Sequence, residues 1–276
     1  MRPFFSIYLV AGLALVVSSA QLAAHEFWID PKLTQSGAGA EMSANLRVGE
    51  NLVGAPLPFL DTTVKSMTLF SPSNAEPLTA RIGDRPAINP TVLGERGLHA
   101  LTVETHPAYI VFDSFPEFVD YLNYEGLSPV ADLHRDRGLP PEGIAEEYLR
   151  NARSLIQVGA PSATDADQHT GMAFEITIDG SPFLPGQDTV RAQVTWQEKA
   201  AVDVQVALYH LPGDQTVPQD ATRILLRSDA AGYIEFPLFG AGGYLLNAVH
   251  MAPADGPGSV VWQSHWASLT FQLDNQ

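Results

Sequence analysis

In the stretch WASLTFQL, residues 266–273, apolar residues alternate with mostly polar ones. In an extended chain successive side chains point to opposite faces, so one face of this stretch is apolar. The apolar row comprises Ala267, Leu269, Phe271 and Leu273, and the opposite row comprises Trp266, Ser268, Thr270 and Gln272. This pattern predicts a β-strand that packs one face against a core.

Six further stretches of this kind precede it, separated by Gly, Pro and Asp turn residues. They are MAFEITIDG, TVRAQVTWQE, VDVQVALYHL, TRILLRSD, YIEFPLF and GGYLLNAVHM. Seven short strands at regular spacing are typical of an antiparallel sandwich. We therefore expect residues 172–276 to form an immunoglobulin-like or transthyretin-like β-sandwich.

Residues 25–113 also have the pattern of short strands separated by turns. Their short apolar runs are broken by turn residues, and the alternation is clearest where His99, Leu101 and Val103 share one face. We predict a second β domain here. The fold class is therefore mainly β, with two β-sandwich domains.

In residues 114–158 the spacing of apolar residues changes from that of strands to that of helices, which predicts a short helical insertion. We place helices near 115–125, 129–137 and 142–158. In the third, acidic residues lie near the start, Arg150 lies later, and apolar residues recur at helical spacing: Ile144, Tyr148, Leu149, Ala152, Leu155 and Ile156. The small and polar segment 159–171 is the predicted linker between the domains.

Residues 1–24 have the composition of a secretory signal peptide. One cationic residue, Arg2, precedes an apolar run that is too short for a membrane span, and small residues follow. Cleavage after Ala20 and cleavage after Ala24 are both compatible with these small residues. We expect a periplasmic chain that does not insert into the membrane after cleavage, with the position of the cut left open.

Charge and composition limit the function. The formal charge is −16, and removal of Arg2 with the leader makes it −17. Such an acidic surface disfavours nucleic acid and anionic lipid and favours cations. The chain has no cysteine, so any metal ligands are nitrogen or oxygen atoms. The nucleophile elbow, the phosphate-binding glycine loop, the HExxH motif and the dinucleotide fingerprint are missing from the sequence, and we do not expect an enzyme.

Four of the eight histidines share the apolar side of predicted strands: His25, His99, His250 and His265. For each of them alone, a neutral imidazole bonded to a backbone carbonyl in the core is the simpler interpretation. His134, in the helical segment, is expected to be solvated. Glu26 has the opposite parity to the apolar residues of its strand and is expected to face solvent.

His25 becomes the first residue of the protein if cleavage follows Ala24. Its α-amine and its imidazole Nδ1 then close a six-membered chelate on one cation. One further imidazole completes a three-nitrogen site suited to Cu(II), or a square-planar site suited to Ni(II). We choose His250 or His99 for that ligand and place His265 third.

Several phrases together resemble one bacterial family: AHEFWIDP at 24–31, LRVGENLVGAPLP at 46–58, GLHAL at 97–101, GYLLNAVHM at 243–251 and WQSHWASLTFQL at 262–273. It is a periplasmic family of unknown function, whose members are commonly labelled the periplasmic component of a cobalt/nickel transport system or nickel-uptake family proteins. The resemblance implies a β-rich periplasmic protein that begins at His25 and handles divalent transition metals. The histidines that match its motifs are His25, His99 and His250, and His265 is not among them.

We therefore expect a soluble periplasmic protein that binds Ni, Co or Cu through His25, His250 and His99. It would pass the ion to a membrane metal transporter, or buffer it for that transporter. The alternative is a metal-free interaction module, in which two β domains dock on a membrane or transporter partner and the histidines belong to the core. N-terminal sequencing of the processed protein would decide whether the His25 amine is free.

Overall fold

The computed structural model describes residues 25–213, 217, 221–255 and 258–274, so the predicted signal peptide lies outside the described residues. The helices are α1 (Phe115–Tyr124) and α2 (Pro129–Asp136). In chain order the strands are β1 (Glu26–Pro31), β2 (Gln35–Ser36), β3 (Ala40–Glu50), β4 (Val53–Leu57), β5 (Val64–Phe70), β6 (Ala75–Pro77), β7 (Ile88–Leu93), β8 (Gly97–Thr105), β9 (Ala108–Phe112), β10 (Ile144–Val158), β11 (Phe174–Ile178), β12 (Thr189–Trp196), β13 (Lys199–Ala200), β14 (Gln205–Pro212), β15 (Thr222–Arg227), β16 (Tyr233–Pro237), β17 (Gly242–Pro253) and β18 (Val260–Leu273).

The strands form three sheets, and the mainly β sandwich architecture predicted from the sequence is confirmed. The N-terminal sheet contains β1, β3, β4 and β7, and the C-terminal sheet contains β11, β12, β13 and β16. Between them lies a ten-stranded sheet with the order β15-β14-β17-β18-β10-β8-β5-β6, in which β2 and β9 also pair with β10. Strands from both predicted domains thus share the central sheet.

Strand β10 is the principal correction to the sequence analysis, because the helix predicted over 142–158 is wrong. β10 runs parallel to β18 and antiparallel to β8 and β9. Covered by neighbours on both faces, it does not show the apolar and polar alternation of a half-exposed strand. Buried polar side chains of this strand, such as Asn151 and Gln157, interrupt its apolar positions and imitate a helical period. The helices predicted near 115–125 and 129–137 are confirmed as α1 and α2.

The core has two main layers, one on each face of the ten-stranded sheet. On one face, Ala152 and Ile156 of β10 pack against the N-terminal sheet through residues such as Phe27 and Ile29. Trp262 and Trp266 of β18 lie farther along that face, under α1 and α2. The opposite face packs against the C-terminal sheet, in a cluster that includes Leu155, Leu246, Leu269, Phe174 and Ile176.

Arg153 of β10 joins the central sheet to the segment that was predicted as a linker. The side chain is fully buried, and its Nη2 donates to Asp167 Oδ1 at 2.6 Å and to the Gln168 carbonyl at 2.8 Å. Its Nη1 lies 3.2 Å from Glu175 Oε1. Segment 159–171 contains no helix or strand, yet this buried ion triad anchors it to β10 and β11.

Candidate functional site

The structure places His25 immediately before β1, on the face of the central sheet that the N-terminal sheet covers. Its Nδ1 lies 3.1 Å from Glu50 Oε1, and its side chain is 24% exposed. Its carbonyl accepts a hydrogen bond from Arg150 Nη2 at 3.2 Å. The geometry therefore puts His25 above the position of Arg150 on β10.

His99 of β8 lies on the same face of the central sheet as His25, but beside a later part of β10. It pairs with Ile156, whereas Arg150 is six residues earlier, or about 20 Å at about 3.3 Å per residue. Its Nδ1 is 3.2 Å from the Gly97 carbonyl, the residue is 1% exposed, and burial lowers the pKa of its imidazole. These features are those of a core histidine.

His250 lies on the opposite face of the central sheet from His25 and His99. It is in the β17 row with Tyr244, Leu246 and Ala248, which pack against the C-terminal sheet. The structure thus does not bring the three predicted ligands together. Within the described residues no group of three or more histidine, aspartate and glutamate side chains has the geometry of a metal site.

What the structure does bring together is His250 and His265. They are directly opposite each other in the antiparallel ladder of β17 and β18. Cβ atoms of directly opposed residues lie about 4.5–5.5 Å apart, so the two imidazoles can reach one ion. Both residues are partly exposed. His265 was our third choice of ligand, and the register between the strands makes it the partner of His250.

The indole of Trp196, at the end of β12, packs against both rings of this histidine pair. The ring centroids of Trp196 and His250 are 4.4 Å apart, and those of Trp196 and His265 are 4.6 Å apart. Phe174 lies farther away, at 6.0 Å from the His250 ring. Trp196 is not among the site residues predicted from the sequence, although it shares the parity of Val190, Ala192 and Val194 on β12.

Both imidazoles of the pair are biased toward their neutral form. Burial, together with the neighbouring His250 ring, lowers the pKa of His265 to about 4. Burial also lowers the pKa of His250. The Nδ1 atom of His265 is buried and has no hydrogen-bond partner among the described residues. A neutral imidazole with an unused nitrogen is the form that coordinates a metal ion.

One carboxylate, that of Glu147, lies next to the pair and raises the pKa of His265 slightly against the effect of burial. Its Oε1 accepts from Gln263 Nε2 at 2.6 Å, and its Oε2 accepts from the Tyr109 hydroxyl at 2.8 Å. Both oxygens are therefore already engaged by neighbouring donors.

A second polar feature is a group of three buried glutamates on the other face of the sheet: Glu26, Glu125 and Glu146. The Tyr209 hydroxyl donates to Glu26 Oε1 at 2.5 Å. The prediction that Glu26 faces solvent is wrong, because Tyr209 of β14 covers its side chain and leaves the residue 2% exposed. Burial raises the pKa of Glu26, and burial with the nearby Glu26 charge raises that of Glu125 well above its usual range.

Glu146, at the start of β10, accepts hydrogen bonds at Oε1 from the Tyr121 hydroxyl and from Ser264 Oγ. Its Oε2 is buried without a partner among the described residues. Burial raises the pKa of Glu146 to about 7, and the two hydrogen bonds oppose that rise. These carboxyls keep their protons at pH values at which exposed carboxyls have lost theirs.

His134 also differs from its prediction, since it is buried and not solvated. Its Nε2 is 3.0 Å from the Pro140 carbonyl, and its Nδ1 accepts from Trp262 Nε1 at 3.1 Å. Both ring nitrogens are thus engaged, and the side chain holds α2 against β18.

The fold and its site define a class: a mainly β protein of stacked sheets, with a cross-strand histidine pair beside an indole. The chain belongs to the family described as "Domain of unknown function (DUF4198)", whose model matches residues 22–252. The domain-of-unknown-function family expected from the sequence phrases is thereby supported. No curated protein matches the chain.

Among solved structures, the chain is similar to the crystal structure of chicken CNTN1 FN1–FN3 domains, with 7% sequence identity. The match covers 87% of this chain and 65% of that one, with a TM-score of 0.20. The chain thus spans about two thirds of the length of that structure. Neither helix in the described part of the chain is long and apolar enough to cross a bilayer.

Proposed function

We propose that this protein is an exported, periplasmic binding protein for a transition-metal ion, nickel, cobalt or copper, and that His250 and His265 hold the ion. The observation that carries this proposal is the direct opposition of the two histidines on β17 and β18. The lowered pKa values support it, because at neutral pH the ion has no proton to displace from either ring. The acidic surface of the chain attracts cations to the site.

A site with two protein ligands leaves the other coordination positions to water or to a partner protein. Reversible binding of this kind suits a protein that delivers or buffers an ion for a membrane metal transporter better than one that keeps a permanent cofactor. The N-terminal chelate predicted at His25 stays a separate prediction, since the His25 backbone and the histidine pair lie on opposite faces of the central sheet.

Calorimetric titration of the processed protein with Ni(II), Co(II) and Cu(II) tests the proposal. We expect His250→Gln and His265→Gln each to lower the affinity at least tenfold, a loss of about 1.4 kcal/mol or more. His106→Gln is the matched control, because His106 is exposed and lies outside the pair. Equal affinity in all four proteins would refute the assignment of the ion to this pair, and no binding in any of them would favour the metal-free interaction module.

A further inference from the structure

The indole of Trp196 distinguishes this histidine pair from a simple exposed pair. Its ring centroid lies 4.4 Å from that of His250 and 4.6 Å from that of His265, so an ion shared by the two imidazoles would lie close to the indole. Phe174, which is fully buried, lies 6.0 Å from the His250 ring on the core side of the pair. The ion therefore meets two nitrogen donors and an aromatic wall.

The number of donors bears on which ion fits. Among the described residues no third histidine, aspartate or glutamate completes a metal-binding group with the pair. The carboxylate of Glu147 is held by Gln263 and Tyr109. Six-coordinate Ni(II) or Co(II) would have to keep about four water ligands, and the indole occupies part of the space that those waters need.

Cu(I) has different requirements. It is a d¹⁰ ion with a single charge, so it loses its hydration shell more readily than a divalent ion does. Two neutral imidazoles in a linear arrangement satisfy its coordination. The π-face of an indole, which attracts cations more strongly than other aromatic rings, adds to its binding without supplying a further ligand atom.

We propose that the His250–His265 pair binds Cu(I) in preference to divalent ions, with the two imidazoles as its ligands and Trp196 as an aromatic wall over the ion. This inference rests on the proposed function and narrows it to one ion. It involves no electron transfer, because the ion arrives and leaves as Cu(I).

The test is an anaerobic titration of the processed protein with Cu(I), kept reduced by ascorbate, in competition with a chromophoric Cu(I) chelator. Ni(II) affinity is measured in parallel by calorimetry. We expect Cu(I) to bind at least 100-fold more tightly than Ni(II), and X-ray absorption to give two nitrogen ligands. His250→Gln and His265→Gln should each abolish this binding.

Two further variants separate the roles of the neighbours. Trp196→Leu should lower the Cu(I) affinity about tenfold and change the Ni(II) affinity less than twofold, and Trp196→Phe should recover part of the loss. Glu147→Gln should leave the Cu(I) affinity unchanged. Quenching of fluorescence on Cu(I) binding should be smaller in Trp196→Phe, because the other three tryptophans lie outside the site.

The outcomes distinguish the two proposals. Ni(II) binding that depends on both histidines, with Cu(I) binding no tighter, overturns the inference and leaves the proposed function in place. A Cu(I) affinity that falls in Glu147→Gln, or equal losses for Cu(I) and Ni(II) in Trp196→Leu, also overturns the inference. If neither ion binds, or if Cu(I) binding survives both histidine variants, the histidine pair is not a metal site and both proposals fail.

Discussion

Replacement of Glu146 by glutamine should change how the stability of the protein depends on pH. Burial raises the pKa of Glu146 from 4.5 to about 7. Below pH 4.5 the carboxyl is protonated in both the folded and the unfolded state. Between these values only the folded state keeps the proton, so the stability that protonation contributes is lost as the pH rises toward 7.

The size of the effect follows from the pKa difference. A pKa rise of about 2.5 at about 1.4 kcal/mol for each pH unit gives about 3.5 kcal/mol for holding the charged form in the core, of which about 3 kcal/mol develops between pH 4.5 and pH 7.5. Glu146→Gln mimics the protonated carboxyl and can still accept from Tyr121 and Ser264. We therefore expect the variant to gain about 3 kcal/mol relative to the natural protein between pH 4.5 and pH 7.5.

Urea-induced unfolding, followed by tryptophan fluorescence at pH 4.5, 5.5, 6.5 and 7.5, measures this difference. Glu26 contributes the same pH dependence to both proteins, so the subtraction removes it, whereas the Glu146 charge also raises the pKa of Glu125 and that coupling stays in the difference. Glu235→Gln is the control, because Glu235 is exposed on β16. The reasoning is refuted if the difference between Glu146→Gln and the natural protein stays constant over this pH range.

Three other variants test buried contacts elsewhere in the fold. Arg153→Met should lower the free energy of unfolding by about 3–5 kcal/mol, because Asp167 and Glu175 lose their buried partner. The control Arg191→Met removes an exposed pair with Asp179 and should lower it by less than about 1 kcal/mol. Similar losses for the two variants in chemical denaturation would contradict this reasoning. Tyr209→Phe should lower the free energy of unfolding by about 1–3 kcal/mol, because it removes the hydrogen-bond donor to Glu26. A thermal unfolding midpoint equal to that of the natural protein would contradict this expectation. Gly49→Ala should lower the free energy of unfolding by about 1–3 kcal/mol, because the added Cβ would overlap the Val53 carbonyl oxygen. The control Gly94→Ala places its Cβ in open space and should change the free energy of unfolding by less than about 1 kcal/mol. Equal urea midpoints for these two glycine variants would count against the close approach of β3 and β4.

Side-chain parity within single strands was predictable from the sequence. The alternation in β18 placed Ala267, Leu269 and Phe271 in the core, and the same reasoning placed His250 and His265 on apolar faces. The helix α1 was also predictable, since Ser114 caps its first turn by accepting from the Glu117 amide and a proline follows.

The alignment of one strand with another was not predictable from the sequence. The alternation within a strand shows which side chains share a face, but it does not show which residues of the neighbouring strand lie opposite them. The pairing of His250 with His265 depends on how β17 and β18 align, and a shift of one residue would have separated them. Glu26 was misplaced for a related reason: its burial comes from Tyr209, 183 residues away. The strand β10 was misread because a strand covered on both faces has no polar side to reveal its period.

The parallel pairing of β10 with β18 has a consequence for how the chain acquires its structure. Residues bonded across this pair, such as Ser154 and Thr270, are 116 positions apart in the chain. Until β18 has been synthesised, β10 lacks one neighbour, and its buried polar side chains and open backbone edge remain available to other chains. Folding dominated by such distant contacts is slow. An incomplete chain is therefore the form most prone to aggregation, and an escort that shields the edge of β10 would protect it until β18 is in place.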